Sequence, residues 1–221
     1  MIRGALVLLA GMLLTACASL TPRPAPLSTD TLERWEQRRD ALAAIEQWDM
    51  KGRMAVRTDD DGGSATFVWV REKEVHEIEM FGPFGSGRVT ITQDANGASL
   101  RDGDNPPVRA DTAQELLYRQ AGWHVPFESL NYWLKGVPAP EPYDRLVLDA
   151  DGRALGFRQN GWDVSIVDYV SAEKPVALPR KVFIKALPGT VHLVGDAGED
   201  LGDRLDVKIV LRRWLTTPGP I

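Results

Sequence analysis

Between Trp48 and Val56 the chain alternates. Trp48, Met50, Gly52, Met54 and Val56 take one face, and Asp49, Lys51 and Arg53 the other. That period of two marks a strand buried on one side. Ala65, Phe67 and Trp69 repeat the alternation after the turn Asp59-Asp60-Asp61-Gly62-Gly63. Further strands are predicted over 75–81, 87–93 and 97–101, and Asn105-Pro106-Pro107 closes this first meander. After a gap, strands resume at about 145–149, 153–159, 162–170, 180–186, 190–194 and 204–213.

Two stretches carry a helical period instead. Over 31–47, Leu32, Trp35, Leu42 and Ile45 share one face, and Ser28, Thr29 and Asp30 stand ready to cap it. Glu33, Arg38, Arg39 and Asp40 give the polar face both signs, which favours packing on the domain over lying on a membrane. In the gap between the strand groups, Asp111 or Thr112 caps a helix that runs to Ala121 and stops at Gly122. Pro126 opens another, Phe127 to Lys135, that stops at Gly136. Val137 to Tyr143 is a Pro-rich loop. The pattern predicts a mainly β (α+β) fold of about eleven strands and about three helices, with one strongly curved antiparallel sheet and helices over its concave face. A single domain spans 31–215, and 216–221 is a frayed tail.

The N-terminus has a different character. Residues 1–16 carry Arg3 and an apolar run from Ala5 to Leu14, which is signal-peptide length and about half what a spanning helix needs. The run ends Leu14-Thr15-Ala16-Cys17, a bacterial lipobox. Cys17 is the only cysteine, so it forms no internal disulfide, and it stands where lipidation and cleavage need it. Two or three acyl chains hold a protein at a membrane far better than one. Ala18 follows where an Asp would retain the protein in the inner membrane, so the predicted address is the periplasmic face of the outer membrane. Residues 17–30, Pro-rich over 18–28, read as the lipidated cysteine and its tether.

Composition narrows the function. Apolar residues make up 43% and charged residues 26%, enough for a packed core. A net charge of −5 weighs against nucleic-acid binding. His76, His124 and His192 lie too far apart for a metal-ligand pair. There is no nucleophile elbow, zinc-protease motif, P-loop or dinucleotide fingerprint, so neither enzyme nor cofactor is expected. Asp59-Asp60-Asp61-Gly62 lacks the spaced ligands of a calcium loop and reads as a solvated turn. What remains is apolar surface. Composition alone favours a filled core, and residue type alone favours an inward-folded Phe84 between Pro83 and Gly85. The alternatives are a greasy cavity, adaptable through Met50, Met54 and Met80, and a Phe84 that projects into a membrane.

An ordered set of motifs decides between these readings. It comprises Trp48-Asp49-Met50-Lys51-Gly52-Arg53, Phe67-Val68-Trp69, Gly82-Pro83-Phe84-Gly85, Leu130-Asn131-Tyr132-Trp133-Leu134-Lys135-Gly136-Val137-Pro138, Gln159-Asn160-Gly161-Trp162 and Leu178-Pro179-Arg180-Lys181. With the lipobox ahead of it, the set resembles the LolB family of outer-membrane lipoprotein receptors, from Cys17 to about Trp214. The resemblance implies an unclosed eleven-stranded half-barrel with a helical lid over an apolar cavity. It implies a receptor that takes lipoproteins from the periplasmic carrier LolA and inserts them into the inner leaflet of the outer membrane without nucleotide hydrolysis. It also reverses the reading of Phe84, which maps onto a protruding membrane-insertion loop, Pro83, Phe84 and Gly85, where the familiar pattern has Leu.

Strand alternation then selects the cavity lining as Met50, Met54, Phe67, Trp69, Ile78, Met80, Val89, Ile91, Trp162, Val164 and Ile166, with Trp123, Trp133 and Leu134 in the lid. The expected partners are a LolA-like carrier, the acyl chains of lipoprotein cargo and outer-membrane phospholipid. The expected state is a monomer with no metal. The rival readings are a lipid-anchored periplasmic scaffold with a solid core, a protein that binds free lipid or lipopolysaccharide, and an anchored hydrolase.

Overall fold

The computed structural model describes residues 27–82, 87–121, 126–170, 176–194, 200 and 202–216. Cys17, Pro83, Phe84, Gly85 and Trp123 lie outside the described residues.

Helix α1 (Thr29–Ala43) begins where Ser28 accepts the Thr31 N–H at 3.2 Å, and it buries Trp35 and Leu42. Five strands follow as a meander: β1 (Gln47–Arg57), β2 (Gly62–Glu72), β3 (Val75–Gly82), β4 (Gly87–Asp94) and β5 (Gly97–Asp102). A short β6 (Val108–Ala110) makes the outer edge. The chain then forms α2 (Ala113–Ala121) and α3 (Phe127–Trp133). It re-enters the sheet at the opposite edge with β7 (Tyr143–Leu148) and returns inward through β8 (Ala154–Gln159), β9 (Trp162–Tyr169) and β10 (Pro179–Ala186). It ends with β11 (Asp206–Thr216).

The strand order is β6-β5-β4-β3-β2-β1-β11-β10-β9-β8-β7, antiparallel throughout, with β1 and β11 zipping the two meanders together. β6 and β7 remain unpaired with each other, so the eleven-stranded sheet is unclosed. This topology also positions the lid. The connection from β6 to β7 joins the two edges of the arch, and α2 and α3 lie on that connection. Their apolar faces, including Ala113, Leu116, Phe127 and Trp133, are buried against the inner face of the sheet. Burial of the two apolar surfaces against each other is the main force holding sheet and lid together.

The predicted count of eleven holds, although two of its members differ. Residues 190–194 form no ladder strand. Val191 and Leu193 are buried alternately, as a strand would bury them, yet the segment has one isolated bridge, Val194 to Asp200. The missed strand is β6, whose three residues follow Pro106-Pro107 and are too few to show a period. The helical boundaries shift slightly. The α1 helix runs from Thr29 to Ala43, so it ends before the expected 47 and leaves Ile45 beyond its C-cap Ala44, and α3 stops at Trp133 with Leu134 as its C-cap. For α2 the cap is Thr112, whose Oγ1 accepts the Glu115 N–H at 3.1 Å. Glu115 reaches back to accept the Asp111 N–H at 3.2 Å. Asp59-Asp60-Asp61 lies in the β1–β2 turn, where Asp61 Oδ1 accepts the Gly62 N–H at 2.6 Å.

Candidate functional site: an apolar cavity beneath the lid

The inner face of the first meander is built from side chains aligned across strands. One row runs Phe67, Met80, Val89, Asp102, and the next runs Trp69, Ile78, Ile91, Leu100. Met54 and Ile209, paired across β1 and β11, extend this floor. Leu117 and Gln120 of α2, Phe127 and Leu130 of α3, and Leu134 form the roof. Between floor and roof lies a cavity of about 210 Å³. Its lining is overwhelmingly apolar, and its polar members are Asp102 and the exposed Gln120. Apolar-lined cavities accept apolar guests.

Two features keep the floor in shape. Gly52 on β1 leaves space that the Phe67 ring fills. At the inner end, Trp69 stacks on Phe127 with centroids 4.9 Å apart and packs edge-on against Trp48 at 5.1 Å. Trp69 Nε1 donates to His76 Nδ1 at 3.2 Å, so His76 is held as a neutral acceptor. Burial, with the Arg71 charge as a lesser cause, lowers the His76 pKa to about 4.

The lid is clasped by Gln93. Its Oε1 accepts the Ala113 N–H at 2.7 Å, and its Nε2 donates to Glu128 Oε1 at 2.7 Å, so one side chain ties both helices to β4. The α3 side is fastened more deeply. Asn131 Oδ1 accepts from Arg71 at 3.1 Å, and the buried Lys135 Nζ donates to Ile45 O at 3.2 Å. Burial is the main cause that lowers the Lys135 pKa to about 8.

Seven of the residues chosen by alternation (Met54, Phe67, Trp69, Ile78, Met80, Val89 and Ile91) line this cavity, as does Leu134. Met50, Trp162, Val164, Ile166 and Trp133 do not. Met50 is fully buried in the row between Trp69 and Trp214. Trp162, Val164 and Ile166 lie on β9 in the second meander and are buried there. Trp133 drops from α3 into that half, with its ring centroid 6.5 Å from both Phe157 and Trp162. Its Nε1 donates to Gln159 Oε1 at 2.8 Å. The same oxygen accepts the Ala139 N–H at 2.9 Å, and Gln159 Nε2 donates to Ala139 O and Glu141 O. The Pro-rich loop is thereby drawn in as a stopper. The cavity borders the β1–β5 side of the inner face and Ile209 of β11.

Sequence reasoning missed Leu100, Asp102, Leu117, Gln120, Phe127, Leu130 and Ile209. Some signals were present. Leu100 and Ile209 continue the period of two in β5 and β11, and Phe127, Leu130 and Leu134 fall on one helical face. Asp102 and Gln120 carried no signal, because polarity argues against a place in an apolar lining.

Comparison with known proteins agrees with this architecture. The chain is 29% identical over 202 residues to an outer-membrane lipoprotein LolB of Pseudomonas savastanoi pv. phaseolicola, covering 91% of this chain and 90% of the relative. It is 34% identical over 195 residues to that of Nitrosococcus oceani, covering 88% and 96%. Among solved structures, a DUF1329 family protein from Desulfovibrio piger superposes with a TM-score of 0.50 over 88% of this chain and 96% of that one, at 7% identity, which is a likeness of fold. The family model described as outer membrane lipoprotein LolB matches residues 46–214, from the strand that opens the sheet to the tryptophan near its end, and the chain belongs to the LolB family of outer-membrane lipoproteins.

Proposed function

We propose that the protein accepts lipoproteins from a LolA-like periplasmic carrier, holds their acyl chains in the cavity beneath α2 and α3, and delivers them to the inner leaflet of the outer membrane. The observation that carries this reading is the apolar cavity itself, in a chain of the LolB family. Members of that family are lipoprotein receptors of the outer membrane, not enzymes.

The chemistry is partition. Each methylene moved from water to an apolar site gains about 0.8 kcal/mol, so acyl chains travel only along a continuous apolar path. A cavity of about 210 Å³ is below the roughly 300–1,000 Å³ of ordinary ligand sites. Cargo entry therefore displaces the lid. The α2 side is the part that gives, since α3 is fixed by Trp133, Asn131 and Lys135. Partial filling by Met54, Met80 and aromatic rings keeps affinity moderate, so cargo passes onward to the bilayer without nucleotide hydrolysis. Cys17 serves as the lipid anchor, and Phe84 on the β3–β4 connection acts as the membrane wedge.

The test is transfer. Carrier loaded with a labelled lipoprotein is mixed with the mature chain in the absence of ATP, and the label is followed. Movement of label to the receptor, blocked by Leu117→Trp, which places an indole in the cavity, is the expected result. Label that stays on the carrier while the protein is folded overturns the reading. Equal transfer by the parent and Leu117→Trp moves the binding site elsewhere.

A further inference from the structure

The outward face of the sheet carries a second feature that the cavity does not use. On the adjacent strands β1, β11 and β10, the outward positions hold Lys51, Arg53, Lys208, Arg213, Lys181 and Lys185, with Asp49 and Asp206 as the carboxylates on the same strands and Asp168 and Asp163 of β9 opposite Lys181 and Lys185. All four carboxylates are engaged by arginines, Asp163 by Arg158 at 2.9 Å and Asp168 by Arg180 at 3.6 Å. Asp49 pairs with Arg213 at 2.7 Å and Asp206 with Arg204 at 2.9 Å. Elsewhere the chain is acidic, with a net charge of −5, so this concentration of cations is a local asymmetry.

The register sharpens the point. Lys51 lies directly opposite Arg213, and Val210 lies opposite both Arg53 and Lys181. Like charges directly opposed across neighbouring strands destabilise a sheet. Asp49, bonded to Arg213, offsets part of that repulsion, and an external anion offsets more. Among the described residues no helix lies over this face: Lys51, Arg53, Lys185, Lys208 and Arg213 are all exposed. Aliphatic side chains stand beside the cations, with Leu215 52% and Val167 62% exposed. β1 is the sixth strand of the eleven, so the patch occupies the crest of the arch, the part of a convex surface that touches a plane first.

We propose that this crest docks on the anionic phosphate head groups of the outer membrane's periplasmic leaflet. The occupant follows from chemistry and place. Clustered lysines and arginines with isolated aliphatics suit a lipid–water interface. An outer-membrane lipoprotein meets that surface continually, and its acidic remainder is repelled from it. Docking at the crest turns the lidded, concave side toward the periplasm. Arg53 shares a cross-strand row with Thr66, Phe81 and Arg88, so the patch reaches the sheet rim from which the β3–β4 connection leaves. The inference is independent of the cavity and stands even if the cavity accepts no acyl chain.

The test is flotation with vesicles of phosphatidylethanolamine, with or without phosphatidylglycerol. The protein is the mature chain carrying Cys17→Ala, so the lipid anchor plays no part. The expected result is binding that requires phosphatidylglycerol, weakens with added salt, and drops at least about tenfold in the triple variant Lys51→Gln, Lys181→Gln, Lys208→Gln. A control triple of the same charge, Lys73→Gln, Arg109→Gln, Arg145→Gln, lies off the crest and keeps most of the binding. Thermal melting verifies that both triples are folded. Absence of parental binding to the anionic vesicles overturns the proposal. So does an unchanged crest variant, or an equal loss in both triples. A crest variant that floats normally yet no longer accepts cargo from the carrier also overturns it and assigns the patch to an acidic protein partner.

Discussion

Gly52 and Phe67 are paired across β1 and β2, and the Phe67 ring occupies the space a side chain at position 52 would need. A Cβ placed there would lie 3.0 Å from Phe67 Cε1 and 2.6 Å from Val210 O. The backbone oxygen cannot step aside, and a β-bulge between Lys51 and Gly52 already bends the strand at this point. Glycine is therefore needed for close approach, and through Phe67 it shapes the cavity floor. Gly52→Ala is expected to lower stability by about 1–3 kcal/mol and to change the binding of a hydrophobic dye. Urea denaturation and dye titration measure the two effects. A variant with parental stability and dye binding would show that β1 shifts freely.

His76 gives the fold an acid sensitivity of known sign. Its folded pKa of about 4 lies below the ordinary 6.5, so the unfolded chain binds the proton more readily. Stability from this group is complete above about pH 6.5 and declines as pH falls toward 4, by up to about 3 kcal/mol. His76→Phe removes the titration but leaves Trp69 Nε1 without its acceptor, a cost of about 1–3 kcal/mol. The expected signature is a variant less stable at neutral pH whose stability falls less between pH 7 and 5 than the parent's. Parallel pH profiles would locate the acid sensitivity elsewhere.

The inner face of the first meander was legible because alternation there is nearly uninterrupted. From β1 to β4, each aromatic or aliphatic residue chosen by period two faces inward. Period alone does not reveal which part of the inner face borders the cavity. That depends on Trp133, whose indole is held by Gln159, 26 residues away, and on a proline-rich loop drawn in by the same glutamine. Such long-range pairings leave no local trace. The edge strand β6 was hidden for a different reason, since three residues after two prolines show no period. Val191 and Leu193 erred in the opposite direction. Their alternate burial is real, but it comes from packing without a hydrogen-bonded ladder.

Lys135 is fully buried, its Nζ bonded to Ile45 O and lying 4.9 Å from the Tyr132 ring centroid. Its folded pKa is lowered to about 8 from 10.5. The folded state therefore holds this proton less well than the unfolded chain. Its penalty is complete below about pH 8 and disappears as pH rises toward 10.5. Lys135→Met replaces the buried ammonium by an apolar chain of similar length. It is expected to raise stability at pH 7 by about 1–2 kcal/mol, as replacement of buried charge by packing often does. It should also abolish the gain in stability between pH 8 and 10. Denaturation midpoints at the two pH values provide the check. A destabilised variant would mean that the bond to Ile45 O outweighs the desolvation of the charge.

Phe84 is the residue on which delivery, as distinct from acceptance, is proposed to depend. If it enters the bilayer, a charge there opposes insertion by several kcal/mol and leaves the cavity beneath α2 and α3 untouched. Phe84→Glu is therefore expected to melt at the parental temperature and to take cargo from the carrier at the parental rate. It should deliver that cargo to vesicles at least about tenfold more slowly. Phe84→Leu, which restores the residue of the familiar pattern, should deliver normally. The two half-reactions are measured separately, carrier to receptor and receptor to vesicle, so a folding defect is distinguished from a lost wedge. A Phe84→Glu protein that is destabilised and fails at both steps would place the ring in the core, while one that delivers normally would remove the loop from the insertion step.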